Sequence, residues 1–221
     1  MMADPLGGFL VEYWYIFLPI AIIYIIWFRN AKKKRFNEEQ ILLENMGFNR
    51  SKKKLNLLRL PSKSWWDWVI SRNPITSKKY PQMLIYLRIK SEGEAGNSET
   101  RVFRLKSKIN KKFPKFILRR EGIFDKLSSD IDYRNNPEFS KKFYLKSLGD
   151  EENKLTVEKL FKNYSLQKKL ISNPINIESN GDEMFYYWDR VKIPVEEIPK
   201  KISEIESLHD NYFDVKVQTV S

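Results

Sequence analysis

The stretch INIESNGDEMFYYW, residues 175–188, decides the fold because two apolar runs flank the dipeptide Asn180-Gly181. Asn-Gly supplies the positive φ angles that a tight primed turn requires, so the stretch predicts an antiparallel β-hairpin. The second strand carries apolar side chains on both faces, namely Met184, Tyr186 and Trp188 on one and Phe185 and Tyr187 on the other. We therefore expect this strand at the centre of a sheet, where both faces are covered.

Four upstream segments have the composition and alternation of strands: residues 83–90, 101–106, 115–120 and 141–147. Apolar side chains at helical spacing predict one helix over residues 154–171 and a closing helix opened by Pro194 and Pro199. A shorter helix is expected over residues 37–47, ending at a glycine cap. The order β-β-β-β-α-β-β-α predicts an α+β domain, with an antiparallel sheet and helices packed on one of its faces.

Residues 9–28, FLVEYWYIFLPIAIIYIIWF, are almost continuously apolar. Twenty helical residues at about 1.5 Å each span about 30 Å, the hydrocarbon thickness of a bilayer. Trp14 and Trp27 are interfacial aromatics, whereas Glu12 and Pro19 are the residues that fit a membrane helix least well. The alternatives are a buried core helix and a cleaved signal peptide, but a signal peptide carries its positive charge before the apolar run. We predict a retained transmembrane helix within residues 1–30.

A basic collar follows the apolar run; it consists of Arg29, Lys32, Lys33, Lys34 and Arg35 and continues with Lys52, Lys53 and Lys54. Residues 29–90 hold 16 Lys and Arg against four acidic residues, while the formal charge of residues 91–221 is only +2. The positive-inside rule places the N-terminus outside the cell membrane and the remainder in the cytoplasm. The predicted organisation is an anchor over residues 1–30, a basic juxtamembrane segment over 31–80 and a cytoplasmic domain over 81–221.

The basic collar has two possible partners. Anionic lipid headgroups attract each Lys or Arg near the bilayer surface by about 1 kcal/mol, and nucleic acid also binds basic clusters that contain aromatics. Lipid is favoured over nucleic acid, because a tether beside the bilayer keeps the collar at that surface. Trp65, Trp66 and Trp68 form an aromatic cluster that either rests in the membrane interface, stacks on a ligand or packs onto the domain.

The sequence contains few residues or motifs that are typical of catalytic or metal-binding sites. It contains no cysteine and one histidine, His209, so thiolate sites and multi-histidine metal sites are excluded. It has no glycine-rich phosphate loop, nucleophile elbow or zinc-protease motif, and Asp125, Asp130 and Asp132 match no calcium loop. His209 lies beside the apolar stripe of the closing helix, where a packed histidine is expected. We predict no cofactor, no metal and no catalytic site.

Two segments resemble a family of uncharacterised bacterial single-pass membrane proteins with a cytoplasmic α+β domain. The family pattern LP-x-F-x-LRPE is matched by Phe116, Leu118 and Arg119, although Arg120 precedes Glu121 where the family has proline. The pattern I-D-F…NPEFS-K-x-Y is matched by Ile131, Asp132, Asn136, Pro137, Glu138, Phe139, Ser140 and Lys142. The resemblance covers about residues 100–208 and implies the architecture; the family has no assigned activity to transfer. We expect Phe116, Leu118, Phe139 and Phe143 in the core and Asn136-Pro137 in a fixed turn.

Three functions are compatible with these features. The leading hypothesis is a membrane-anchored, non-enzymatic protein whose cytoplasmic domain binds a protein partner or forms part of a membrane complex, with a homo-oligomer in the membrane as a further possibility. The second is a module that senses anionic lipids through the basic collar and the Trp65–Trp68 cluster. The third is a hydrolase with an unfamiliar site built from Asp132, Glu138 and Lys142.

Overall fold

A computed structural model describes residues 14–51, 69–77, 79–91, 97–107, 112–121, 131–188, 191 and 193–213. The chain divides into two compact units, Met1–Met46 and Gly47–Ser221.

The first unit contains helix α1, Trp14–Asn45, with Pro19 inside it. The helix predicted over residues 37–47 is the last part of this continuous helix, and Gly47 follows it with φ +81°. Glycine adopts this left-handed conformation without a steric penalty, so it ends a helix readily. Among the residues that the structure describes, no helix combines the length and apolarity that a membrane crossing requires. The predicted transmembrane helix, which starts at residue 9, is therefore not supported by the structure and stays a prediction.

The second unit is an α+β domain built on one antiparallel sheet of eight strands in the order β1-β2-β3-β4-β8-β7-β5-β6. The strands are β1 Phe48–Arg50, β2 Val69–Ser77, β3 Met83–Ser91, β4 Asn97–Lys106, β5 Phe116–Arg120, β6 Phe143–Ser147, β7 Asn176–Ser179 and β8 Glu183–Tyr187. The α+β class and the antiparallel sheet predicted from the sequence are confirmed. The sheet also takes β1 and β2 from the segment predicted as a basic juxtamembrane region.

Strand β8 lies between β4 and β7, which confirms its predicted central position. The β7–β8 hairpin is also confirmed, but its turn is centred one residue later than predicted. Asn180 N donates to Glu183 O at 3.2 Å, so Gly181 and Asp182 are the two central residues. Gly181 has φ +101°, and Asn180 Oδ1 accepts from the backbone N–H groups of Asp182 and Glu183. Gly181 thus supplies the positive φ angle, while Asn180 satisfies the turn amides.

Five helices are described in all; those of the second unit are α2 Pro137–Lys142, α3 Glu151–Phe161, α4 Tyr164–Ser172 and α5 Ile198–Tyr212, the last preceded by a 3-10 turn over Val195–Glu197. The single helix predicted over residues 154–171 is wrong, because it is divided into α3 and α4. Asn163 separates them: its side chain accepts a hydrogen bond from Leu166 N at 3.2 Å and so starts a new helix. Helix α2 occupies the region predicted as a turn, with Asn136 as N-cap and Pro137 at its first position.

An aromatic core joins the helices to one face of the sheet. Phe116 of β5 contacts Phe161 of α3 at 5.1 Å and Phe213, after α5, at 6.1 Å between ring centroids. Phe139 of α2 stacks on Phe143 at 5.2 Å. The four residues predicted as core, Phe116, Leu118, Phe139 and Phe143, are all buried, as predicted. A second buried cluster lies on the opposite sheet face and consists of Leu84, Tyr86, Val102, Phe185 and Tyr187.

Candidate functional site

Helices α4 and α5 form the walls of the candidate site. Each has an apolar stripe that turns inward: Leu166 and Leu170 are buried on α4, and Ile198, Ile202, Ile205 and Leu208 are buried on α5. These residues recur at three- and four-residue intervals, which keeps them on one helix face. The outer faces carry lysine, serine and glutamate, so the two helices pack through their stripes and present polar side chains at their edges.

Three side-chain hydrogen bonds, here named the interhelical ladder, connect α4 to α5: Ser165–Tyr212 at 2.9 Å, Lys169–Ser207 at 3.1 Å and Asn173–Glu204 at 3.1 Å. The positions rise along α4 while they fall along α5, so the helices run antiparallel. Ser165 and Lys169 are four residues apart and so share one edge of α4, and Asn173, the C-cap residue directly after the helix, forms the third bond. The ladder therefore bridges the exposed edge between two helices whose apolar stripes are buried.

A groove of about 350 Å³ opens at the end of the ladder formed by Asn173 and Glu204. Its apolar lining consists of Leu170, Ile175, Trp188 and Leu208. Its polar lining includes two lysines, Lys169 and Lys200, and the serines Ser203 and Ser207. A concave apolar surface with a few polar groups at its edge is the usual form of a binding site.

Trp188 is the residue that most distinguishes this groove. Its side chain is only 8% exposed, yet its indole Nε1 has no hydrogen-bond partner. The ring contacts Phe103 edge to face at 5.9 Å, and Lys201 Nζ lies 4.6 Å from the ring centroid. An indole N–H is a donor only, and burying it without an acceptor costs about 1–3 kcal/mol. The indole N–H is therefore a donor without an acceptor inside the packed domain, closed off from the groove as well as from solvent.

The charges around the groove are predominantly positive. Lys201 Nζ forms an ion pair with Glu204 Oε2 at 2.8 Å, and Asn173 donates to the same carboxylate. Burial by itself would raise the pKa of the Glu204 carboxyl, but the hydrogen bonds from Lys201 and Asn173 outweigh burial and lower it. Glu204 is thus ionised at neutral pH and neutralised locally by Lys201. Lys200 also acts on the Glu204 carboxylate, so the three charged side chains of the lining, Lys169, Lys200 and Glu204, sum to one positive charge.

A second, wider cleft of about 720 Å³ lies between residues 131–135 and helix α3. It contains Asp132, one of the three residues of the hydrolase hypothesis. Glu138 and Lys142 do not line it, and Lys142 Nζ donates to the carbonyl of Ile171 at 2.6 Å. The structure therefore does not gather the three residues in one cleft. Across the described ranges, no group of three or more metal-ligating side chains is found; Asp125 and Asp130 lie outside those ranges.

The membrane-facing residues predicted from the sequence are described in part. Trp14 is the first residue of α1, Trp27 is 64% exposed on that helix, and Arg29, Lys33 and Lys34 are exposed on its following turns. Lys32 and Arg35 lie on the same helix. Lys52, Lys53, Lys54, Trp65, Trp66 and Trp68 lie outside the described residues.

His209 has the packed position that the sequence predicts. It is 8% exposed, its ring lies 5.4 Å from Phe113 and 6.2 Å from Phe213, and its Nδ1 is 3.0 Å from Tyr186 Oη. The groove residues, in contrast, were not predicted as a site. The sequence gives one signal for them: Trp188 follows directly after a strand that is apolar on both faces, and an indole at such an end needs an acceptor for its N–H.

Comparison with known proteins finds no family model that matches the chain, no similar curated protein and no similar solved structure.

Proposed function

We propose that this chain is a membrane-attached, non-enzymatic protein whose second unit, Gly47–Ser221, binds a protein partner in the α4–α5 groove. The observation that supports partner binding is the preformed groove of about 350 Å³, whose apolar lining of Leu170, Ile175 and Leu208 is edged by lysine and serine side chains.

Membrane attachment rests on helix α1. Its seven consecutive residues Ile22–Phe28 are all apolar, and each is between 47% and 66% exposed. Successive helical residues are about 100° apart, so this run presents apolar side chains in every direction around the axis. A helix that is apolar all round needs an apolar environment on all sides, which a bilayer supplies. The basic collar then favours an outside N-terminus and a cytoplasmic second unit.

The absence of cysteine allows the proposed topology to be tested directly. Single-cysteine variants at Asp4 and at Ser203 can be labelled in intact cells with a membrane-impermeant maleimide. We expect Asp4→Cys to react and Ser203→Cys to react only after the cells are opened. Labelling of Ser203→Cys in intact cells, or recovery of the whole chain in the soluble fraction without detergent, would contradict the proposal.

Partner binding can be tested with a photo-crosslinking amino acid at Ser203, which lines the groove and is exposed. The matched control is Lys168, which is exposed on α4 outside the groove lining. In native membranes we expect a discrete protein adduct from position 203 and none from position 168. Ser207→Trp, which fills the groove, should abolish the adduct, whereas Ser172→Trp at the end of α4 should not. An adduct that survives Ser207→Trp would show that the groove is not the binding site.

Sensing of anionic lipids is the second candidate function, because Arg29, Lys33 and Lys34 are exposed on consecutive turns after the apolar run. Replacing the five collar residues on α1 with glutamine in the full chain tests it by vesicle flotation. A preference for anionic over neutral vesicles that is lost in this variant, and weakened by salt, supports lipid sensing. Equal flotation with both vesicle types would exclude it.

A further inference from the structure

We propose that Asn180-Gly181 is a self-modification site that the folded hairpin keeps inactive and that unfolding activates. The reaction is deamidation of Asn180, which needs water and no enzyme. Asn180-Gly181 is the single Asn-Gly dipeptide of the sequence. It lies in the turn between β7 and β8, two inner strands of the sheet, so a change in its backbone acts on the strands around which the domain is built.

Deamidation proceeds through a cyclic imide. The backbone nitrogen of Gly181 loses its proton and attacks Cγ of Asn180, so a bond from that nitrogen to Cγ forms, the bond from Cγ to Nδ2 breaks and ammonia leaves. Water then opens the ring at either carbonyl, which leaves aspartate or isoaspartate. Glycine after asparagine favours the reaction, because it has no Cβ to obstruct the approach of its nitrogen.

The folded hairpin holds both reacting groups in hydrogen bonds. Gly181 N donates to the hydroxyl of Ser179 at 3.2 Å, and Ser179 is fully buried. Asn180 Oδ1 accepts from the backbone N–H groups of Asp182 and Glu183 at 3.0 Å and 2.9 Å, which orients the carboxamide. Ring closure consumes the Gly181 N–H and moves the carboxamide of Asn180, so all three bonds oppose it.

The backbone of the turn is also held from outside the hairpin. Phe113 N donates to the carbonyl of Gly181 at 2.8 Å, and Ser107 N donates to the carbonyl of Asp182 at 2.8 Å. Gly181 itself is buried. Ring closure requires the backbone between Asn180 and Gly181 to rotate, and these two further bonds oppose that rotation while the domain is folded.

Unfolding removes these hydrogen bonds, so Asn180 then reacts as it does in a free Asn-Gly peptide. In the isoaspartate product the main chain runs through the former side-chain carbonyl and is longer by one methylene group. The insertion falls between β7 and β8, whose register depends on a two-residue turn. A chain that holds isoaspartate therefore fails to rebuild the hairpin, and the modification makes unfolding irreversible.

The experiment incubates the full chain in detergent at mildly alkaline pH, with and without denaturant. Ammonia release and peptide mass spectrometry measure the products at residue 180. We expect deamidation there to be at least about tenfold slower in the folded chain, which corresponds to about 1.4 kcal/mol. Equal rates in the folded and the unfolded chain would overturn the inference.

Ser179→Ala separates protection by the turn from protection by the fold as a whole. It removes the acceptor of the Gly181 N–H, so deamidation of the folded chain should accelerate about two- to tenfold while the rate in denaturant stays the same. The control is Asn136→Ala, because the hydrogen bonds of Asn136 involve no residue of the turn. With both variants shown to be folded, equal acceleration in the two would mean that the turn gives no protection of its own.

Refolding after the incubation tests the consequence. Chains with isoaspartate at residue 180 should not recover the folded state. Asn180→Asp keeps an acceptor oxygen and the normal main chain, so it should refold like the unsubstituted chain. Full recovery of the isoaspartate chains, or failure of Asn180→Asp to refold, would contradict the proposed role of the added methylene group.

Discussion

Tyr187 Oη donates a 2.5 Å hydrogen bond to Oε1 of Glu178 across the β7–β8 hairpin. Both side chains are buried, Glu178 completely, on the sheet face opposite to the aromatic core under the helices. The preceding residue, Tyr186, turns to the helix side and meets His209. The hydroxyl groups of two adjacent tyrosines of β8 therefore form hydrogen bonds on opposite faces of the sheet.

Tyr187→Phe removes the donor and keeps the ring. A typical intramolecular hydrogen bond contributes about 0.5–1.5 kcal/mol, so the free energy of unfolding should fall by about that amount. The measurement is chemical denaturation of the full chain in detergent, with Tyr164→Phe as control because Tyr164 is 66% exposed. Tyr187→Phe removes the donor and Glu178→Met removes the acceptor of the same bond, so the double variant should lose clearly less than the sum of the single losses. Additive losses would show that the bond contributes nothing.

Asn136 connects three helices, and its loss should be among the most destabilising polar substitutions. Its Oδ1 accepts from Phe139 N at 3.3 Å, and its Nδ2 donates to Gln167 Oε1 at 2.7 Å; Gln167 in turn donates to Phe161 O at 2.7 Å. Gln167 is fully buried. Asn136→Ala should cost about 2–4 kcal/mol, the sum of a lost N-cap and an unsatisfied buried amide.

The neighbouring Asn135 is exposed, and Asn135→Ala should change the free energy of unfolding by no more than about 0.5 kcal/mol. Asn136→Asp keeps the capping oxygen and loses the donor to Gln167. Its loss of unfolding free energy should therefore lie between those of Asn135→Ala and Asn136→Ala. If Asn136→Ala and Asn135→Ala lowered the free energy of unfolding equally, the hydrogen bonds from Asn136 to Gln167 and from Gln167 to Phe161 would not contribute to stability.

The sheet was predictable wherever apolar alternation and turn residues agree. Strands β3 to β8 follow from this pattern, as does the central position of β8. Strand β2 was missed because Pro74 interrupts its pattern. In the structure the β2–β3 register shifts between Arg72 and Ile75, so the proline lies at an irregularity where the ladder needs no donor from it.

Short helices and helix breaks were less predictable. Asn136-Pro137 is typical of a helix start, but the six residues of α2 are too few to show the apolar periodicity of a helix. Phe161, Leu166 and Leu170 continue one apolar pattern across Asn163, so the pattern alone predicts one helix instead of two. The groove was not predictable at all, because its ladder joins residues 31 to 47 positions apart whose pairing depends on tertiary packing.

Trp188→Phe tests whether the unsatisfied indole N–H of Trp188 lowers the free energy of unfolding. Phenylalanine keeps an aromatic ring against Phe103 and removes the unsatisfied indole N–H. The free energy of unfolding should therefore stay the same or rise by up to about 1–2 kcal/mol, whereas Trp188→Ala should lose about 3–5 kcal/mol through the cavity it leaves. Denaturant midpoints of the three proteins give the comparison. A loss of more than about 1 kcal/mol in Trp188→Phe would mean that the indole nitrogen is already satisfied in the free protein.

Tyr186 should make the fold sensitive to alkaline pH. Complete burial raises the pKa of its hydroxyl well above the usual value, and the negative charge of Asp210 adds to this effect. Because the pKa is higher in the folded than in the unfolded chain, the stabilisation is fully present below the unfolded pKa of about 10 and is lost as pH rises above it. Above that pH, each tyrosine with a raised pKa adds about 1.4 kcal/mol per pH unit to the loss of unfolding free energy.

Tyr186→Phe should therefore be less stable than the unsubstituted chain at neutral pH, since it loses the hydrogen bond to His209, but should lose stability more slowly above about pH 10. Burial, assisted by Glu158, also raises the pKa of Tyr133, so Tyr133→Phe should reduce the alkaline slope in the same direction. Denaturation series between neutral pH and the alkaline limit of folding measure both slopes. Parallel pH dependences for Tyr186→Phe and the unsubstituted chain would contradict this prediction, because they would mean that the Tyr186 hydroxyl ionises equally well in the folded and unfolded states.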